Sequence, residues 1–216
     1  MVNTAPGQKM NDGCRNSPGT RPGSKMAYYM INFRVENSDF TGIGFKRRFA
    51  HIVIKSSHDF RFVFTYAIDI GPGLGYFSIP LAELVGPSGH VIAIDIQPKM
   101  LSALMERAKK KGVAEIIRTH LAGPDSIGFY EKADFILAFW MAHEVPDQQR
   151  FFSEIRYLMK PEGLFLLVEP VMHVSMKNFS RAIETAKQVG FFIKESPKIR
   201  MSRSAFFTCG KNGRPQ

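Results

Sequence analysis

Cysteine is nearly missing from this chain of 216 residues. Cys14 and Cys209 are the only two, far apart, with no Cys-x-x-Cys pair and no metal-ligand spacing. That arithmetic excludes a disulfide scaffold and a structural zinc site, and no metal is expected in the functional site. Long apolar runs are also missing. Charges, Gly or Pro interrupt every candidate before it reaches bilayer length, so no membrane span is expected. Residues 1–25 lack the apolar centre of a signal peptide, carrying Lys9, Arg15, Arg21 and Lys25 among Gly, Pro, Asn and Ser. A cytoplasmic location is the expectation.

Carboxylates are in short supply. Nineteen Asp and Glu face 29 Lys and Arg, a formal net charge of +10. An excess of that size raises nucleic acid as a partner. Part of it sits in the N-terminal tail, and more in Lys46-Arg47-Arg48 and Lys109-Lys110-Lys111. The second run belongs at a solvated helix end, where cations complement the helix dipole. A basic stripe interleaved with aromatics, the stronger sign of nucleic-acid binding, is not found.

What is present divides the chain in three. Residues 1–25 read as a disordered basic tail, with too little apolar surface to offset the entropy of ordering. Residues 26–61 mix aromatics with basic residues and read as an N-terminal cap or lid. Residues 62–216 read as one α/β domain with regular alternation. Apolar runs at Phe62–Ile70, His90–Asp95, Ala114–His120, Ala133–Trp140 and Leu164–Glu169 predict buried strands. Helical spacing appears over Phe77–Leu84, Pro98–Lys111, Asp147–Met159 and Lys177–Val189. Lys160-Pro161-Glu162-Gly163 predicts a turn, and Phe191–Lys194 and Ser204–Cys209 predict two last strands without a helix between them. The expected fold is Rossmann-like and doubly wound. It has a mostly parallel seven-stranded sheet, an antiparallel last strand and helices on both faces. Such sheets bind ligands beyond the carboxyl ends of their strands, here near Ile70, Asp95 and Trp140.

One of those ends reads Asp69-Ile70-Gly71-Pro72-Gly73-Leu74-Gly75. Alternating glycines let the backbone turn tightly and bring bare amides against a ligand, at the start of a helix with unpaired N–H groups. The dinucleotide pattern Gly-x-Gly-x-x-Gly needs a third glycine where Tyr76 stands, which disfavours a nicotinamide oxidoreductase. A second acidic residue, Asp95, closes the next strand. As plain structure, the glycines make a tight turn and Asp95 caps the helix at Pro98.

The run from Asp69 to Gly75, with Asp95 one β-α-β unit later, resembles the first motif of the class I S-adenosylmethionine-dependent methyltransferases. The likeness extends over about Phe62–Cys209, including the Lys160–Gly163 turn, and is closest to the small single-domain branch that includes quinone-biosynthesis methyltransferases. It implies that S-adenosylmethionine is the cofactor and S-adenosylhomocysteine the product. It also implies a cofactor site at Asp69, Gly71, Pro72, Gly73, Gly75, Asp95, Ile96, Met100, Asp125, Ser126 and Phe139. In that family the carboxylate at the place of Asp95 bonds both ribose hydroxyls, and an acidic residue near Asp125 receives the adenine amino group. Pro124 interrupts the family's usual Gly-Asp-Ala there, and an ordinary Asp-Ser turn is the competing reading.

The acceptor side should lie at Phe139-Trp140-Met141-Ala142-His143-Glu144. The Asn-Pro-Pro-Tyr signature of base amine methylation and a catalytic cysteine are both missing here, which disfavours those chemistries. Trp140 is either an apolar wall beside the reacting sulfur or core packing under the next helix. His143 is either the general base or a histidine at the edge of the site. A small-molecule acceptor is expected. RNA methylation and a non-catalytic cofactor-binding scaffold are the alternatives.

Overall fold

The computed structural model describes residues 64–210. The tail expected over 1–25, the cap expected over 26–61 and Cys14 lie outside the described residues.

Strand β1 (Tyr66–Ile70) leads through the glycine turn to α1 (Ser78–Val85), then β2 (His90–Asp95) and α2 (Pro98–Lys111). Next come β3 (Ile117–Leu121), β4 (Ala133–Phe139), α3 (Gln148–Leu158) and β5 (Met159–Pro170). Helix α4 (Met176–Gln188), β6 (Phe192–Glu195) and β7 (Ser202–Thr208) close the domain. The sheet order is β3-β2-β1-β4-β5-β7-β6. Strands β1 to β5 pair in parallel, while β7 runs antiparallel to both of its neighbours. The expected doubly wound sheet is therefore observed, with the last strand inserted between β5 and β6.

Both faces of the sheet are covered. The pleat sends Ala67, Val91, Ala93 and Leu137 to one side, against Leu81, Leu101 and Leu104 of α1 and α2. It sends Ile68, Ile92, Ile94 and Ile136 to the other, against Phe152, Ile155 and Ile183 of α3 and α4. Burial on two faces is why these strands read as unbroken apolar runs. The helix ends follow local chemistry. Pro98 takes the first position of α2, and Gly112 leaves it in the left-handed conformation at φ 72°. Asp147 caps α3 by accepting from the Arg150 amide at 2.9 Å.

Every strand except β2 shifts from its expected bounds; β6 and β7 are observed at Phe192–Glu195 and Ser202–Thr208, and the other four shifts have local causes. β1 starts at Tyr66 because Asp134 Oδ2 accepts from the Thr65 and Tyr66 amides at 3.2 and 3.0 Å. The run from Ala114 opens as a 3₁₀ turn over Ala114–Ile116, so β3 proper begins at Ile117. Lys160–Gly163 is continuous with β5 rather than a separate turn. Met159 pairs with Ala133, the register slips, and pairing resumes at Leu164 with Phe135. A Cβ on Gly163 would stand 2.9 Å from the Lys160 carbonyl and 3.1 Å from that of Ala133, so the bulge requires glycine. Finally, β4 stops at Phe139, because Trp140 turns out of the strand at φ 59°.

The chain winds from β1 outward to β3 and then returns to β4 on the other side of β1. The reversal opens a crevice between the carboxyl ends of β1 and β4, where such sheets place their ligands.

Candidate active site

The glycine turn lies in that crevice. Gly71, Gly73 and Gly75 have φ of 68°, 52° and 79°, left-handed values that a side chain resists. They differ in what surrounds them. A Cβ on Gly71 would meet Met141 Cγ and Cβ at 2.7 and 2.8 Å, and one on Gly75 would meet Leu104 Cγ at 2.8 Å. A Cβ on Gly73 would meet nothing within 4 Å. Two glycines thus allow close packing of the turn on Met141, in the loop after β4, and on α2, and the middle one leaves its backbone open to the crevice. The turn is braced by Gly75 N–H donating to the Pro72 carbonyl at 2.9 Å. Arg107 of α2 donates from Nη1 to the Leu74 carbonyl at 2.6 Å, and its guanidinium lies 4.5 Å from the centre of the Tyr76 ring.

A clear contrast follows. Gly71→Ala should destabilise the domain by about 2–4 kcal/mol, because left-handed strain and a backbone-proximal clash add. Gly73→Ala should lose only about 1 kcal/mol from strain, yet weaken any ligand held against the turn. Urea denaturation of the two variants, beside ligand titration, checks the pair.

Asp69 sits beneath the turn and is almost fully buried. Its Oδ2 accepts from Ser78 Oγ at 2.6 Å, joining β1 to the first residue of α1. Burial pushes its carboxyl up to about 7. The Asp95 charge adds to that, and the Ser78 hydrogen bond opposes it. A carboxyl raised on folding is held protonated by the native state. Its contribution favours the fold at low pH and is lost as pH rises from about 4 through 7. Asp69→Asn removes that penalty while keeping an acceptor for Ser78. The variant should gain on the wild type as pH rises from 5 to 8, reaching on the order of 2–4 kcal/mol, read from paired thermal melts.

Asp95 stands at the carboxyl end of β2, partly exposed, with Oδ1 accepting from the Gln97 amide at 2.9 Å. The N-cap of α2 is Gln97, so Asp95 braces the approach to the helix but does not cap it. Beside it, Ile96 is 61% exposed and Met100 is half-buried. Leu121 pairs with Asp95 across the sheet and is 55% exposed. Sequence reasoning missed Leu121, though a leucine ending a strand beside an acidic one was a usable signal. Together Ile96 and Leu121 put apolar surface beside the Asp95 carboxylate at the edge of the crevice.

The loop after β3 separates two residues that the sequence groups together. Asp125 is exposed. Ser126 is engaged inside the protein: its hydroxyl donates to Glu154 Oε1 at 2.9 Å and accepts from the Gly128 amide at 3.1 Å. Glu154 Oε2 also accepts from the Ile127 amide at 2.7 Å, so α3 holds this loop in place.

On the acceptor side, the Phe139 ring lies 4.2 Å from that of Phe77 and 5.3 Å from that of Trp140. Trp140 is 38% exposed. Its backbone N–H donates to the Val168 carbonyl at 2.8 Å, and its indole Nε1 donates to Ser202 Oγ at 2.9 Å. A bulky residue at positive φ is an outlier that its surroundings must impose, and such outliers gather at functional sites. His143 Nδ1 lies 2.5 Å from Glu169 Oε2. Glu169 ends the apolar run of β5 and is buried. Burial pushes its carboxyl up, against the pull of His143 and of the Ala142 and His143 amides. The ring of His173 stacks on that of His143 at 6.0 Å. Sequence reasoning missed this partner. A lone carboxylate in Leu-Leu-Val-Glu-Pro was the signal available.

A family model described as a methyltransferase domain matches residues 65–201, spanning every element from β1 to α4 and β6. The chain belongs to that family. The chain is similar to an arsenite methyltransferase of Halobacterium salinarum, at 31% identity over 100 residues, which are 44% of this chain and 25% of that protein. It is also similar to a demethylmenaquinone methyltransferase of Anoxybacillus flavithermus, at 30% over 106 residues, 49% of this chain and 44% of the relative. The matched region thus spans less than half the length of these relatives. Among solved structures, the domain resembles a SAM-dependent methyltransferase from Aquifex aeolicus, with TM-score 0.60 and 19% identity over 66% of this chain and 81% of that one. It also resembles Aeropyrum pernix fibrillarin, solved with natively bound S-adenosyl-L-methionine, with TM-score 0.54 and 15% identity over 67% and 66%. At those identities the likeness establishes the fold of the methyltransferase domain.

Proposed function

We propose that this chain is an S-adenosylmethionine-dependent methyltransferase acting on a small-molecule acceptor. The carrying observation is the left-handed glycine turn, open at Gly73 and flanked by the Asp95 carboxylate at the topological switch point. A nucleoside carrying a vicinal diol fits that donor set. Asp95 offers a carboxylate that can accept from two hydroxyls, and Ile96, Met100 and Leu121 offer apolar surface for a base. Gly71, Pro72, Gly73 and Gly75 supply backbone against which a ligand can lie. Asp69 acts from below by fixing β1 to α1, and Asp125 is free at the surface to meet the base amino group. Ser126 serves the loop through Glu154. Phe139 and Trp140 wall the passage between the cofactor side and the acceptor side.

When bound, the cofactor supplies a methyl group already activated on a sulfonium, so alignment and exclusion of water are the protein's main tasks. His143 adds proton transfer. With Glu169 ionised, Nδ1–H donates to the carboxylate and Nε2 keeps its lone pair, the arrangement of an oriented general base. An acceptor hydroxyl that must lose its proton suits this pair, which also stabilises the imidazolium formed. The reading is tested by calorimetric titration with S-adenosylmethionine, S-adenosylhomocysteine and NADH. Micromolar binding of the two sulfur nucleosides without NADH supports it. Binding of NADH alone, or of none, overturns it.

A further inference from the structure

Beside the glycine turn, Asp95 and the His143–Glu169 pair lies an apolar rim in water, which meets the site at Trp140. Trp140, Val171, Met172, Met176 and Met201 are all exposed, Met172 and Met176 by 69% and 62%. They form one patch. The Val171 amide donates to the Met201 carbonyl at 3.0 Å, and Trp140 Nε1 reaches Ser202. Arg203 Nη1 donates to the Val174 carbonyl at 2.6 Å, tying the turn that carries Met172 to the start of β7. Ser175 caps α4 through the Asn178 amide, which puts Met176 and Lys177 in the first turn of that helix, at the same edge.

The two segments that carry the methionines bear charge of one sign, while Glu144 and Asp147 are exposed beyond His143. Residues 170–183 and 196–204, which build the rim, contain Lys177, Arg181, Lys198, Arg200 and Arg203 and no Asp or Glu. Lys177, Arg181, Lys198 and Arg200 are exposed, while Arg203 is partly buried. Cations beside flexible thioethers and one amphipathic indole are the elements of interfacial lipid binding. The apolar tips enter the headgroup layer, and the cations meet anionic phosphates. A single-stranded nucleic acid would call for a row of aromatic platforms, and the patch offers only the Trp140 indole and the His173 imidazole.

We propose that this rim docks the protein on an anionic phospholipid surface, with the mouth at Trp140 and His143 opening toward the bilayer. Docking stands on the rim alone, and only its purpose, delivery of an acceptor, rests on the methyltransferase reading.

The test is co-sedimentation of the full chain with vesicles of phosphatidylcholine and phosphatidylglycerol in equal parts, against pure phosphatidylcholine, at physiological salt and without cofactor. The mixed vesicles should bind and the neutral ones should not. Lys177→Glu with Arg200→Glu should lower the partition coefficient by about thirty-fold or more. Met172→Asp with Met176→Asp should lower it by about tenfold or more. Lys110→Glu with Lys111→Glu makes the same change in net charge at the far end of α2 and should leave binding within about twofold, since only cations near the surface count. No binding to mixed vesicles overturns the proposal. So does equal loss in the Lys110/Lys111 variant, binding indifferent to the methionines, or retention of an RNA homopolymer through the rim in place of vesicles. Titration of the same variants with S-adenosylmethionine separates this outcome from failure of the cofactor reading, because the rim changes should leave that affinity unaltered.

Discussion

Asp95→Ala should weaken S-adenosylmethionine binding by about 100-fold, the equivalent of two charge-assisted hydrogen bonds lost together. Asn at the same place keeps one acceptor oxygen and the Gln97 contact. Asp95→Asn should therefore lose about tenfold. The order alanine, then asparagine, then wild type separates recognition of a diol from bracing of the β2–α2 turn. Bracing concerns Oδ1 and the Gln97 amide, and an asparagine carbonyl replaces it fully. If both variants lower the melting temperature equally and neither moves the affinity, Asp95 is a structural residue. Calorimetry and thermal melts on the same samples read both quantities.

The second large effect concerns His143. With a hydroxylated aromatic acceptor drawn from a screening panel, His143→Ala should lower kcat by about 10² to 10³, the span of a positioned general base. Glu169→Gln should lower it by about ten- to 100-fold. Its amide still reaches Nδ1, but the charge that stabilises the imidazolium is gone. Glu144→Gln is the discriminating control. Glu144 follows His143 directly in the chain and is exposed, while Glu169 makes the contact, so the control should leave kcat within about twofold. None of the three should move the affinity for S-adenosylmethionine. A Glu144 effect equal to that of Glu169 would mean that the arrangement in solution differs from the observed pair.

The fold was legible because its signals are local. Each buried strand is a short apolar run, each helix has a cap or a stop, and the glycine turn is contiguous. β2 and α2 have the boundaries read from sequence, since Asp95, Pro98 and Gly112 punctuate them chemically. The features that escaped depend on distance or register. Glu169 meets His143 across 26 residues only because β4 and β5 lie side by side with Phe139 opposite Val168. Trp140 leaves the strand because its backbone turns at positive φ, which composition does not foretell in a bulky residue. Ser126 is claimed by Glu154 from a helix 28 positions away. The need for glycine at the Gly163 bulge arises from the Ala133 carbonyl, a neighbour that exists only once the sheet has formed.

The most direct measurement is amide hydrogen exchange of the full chain with and without saturating S-adenosylmethionine, because it reports place as well as binding. Slowed exchange over the glycine turn from Gly71 to Tyr76 and over Ile96 to Met100, with β6 and the end of α4 unchanged, is the result expected. Protection confined to another part of the chain, or none while the calorimeter registers binding, would contradict the assignment of this crevice as the cofactor site.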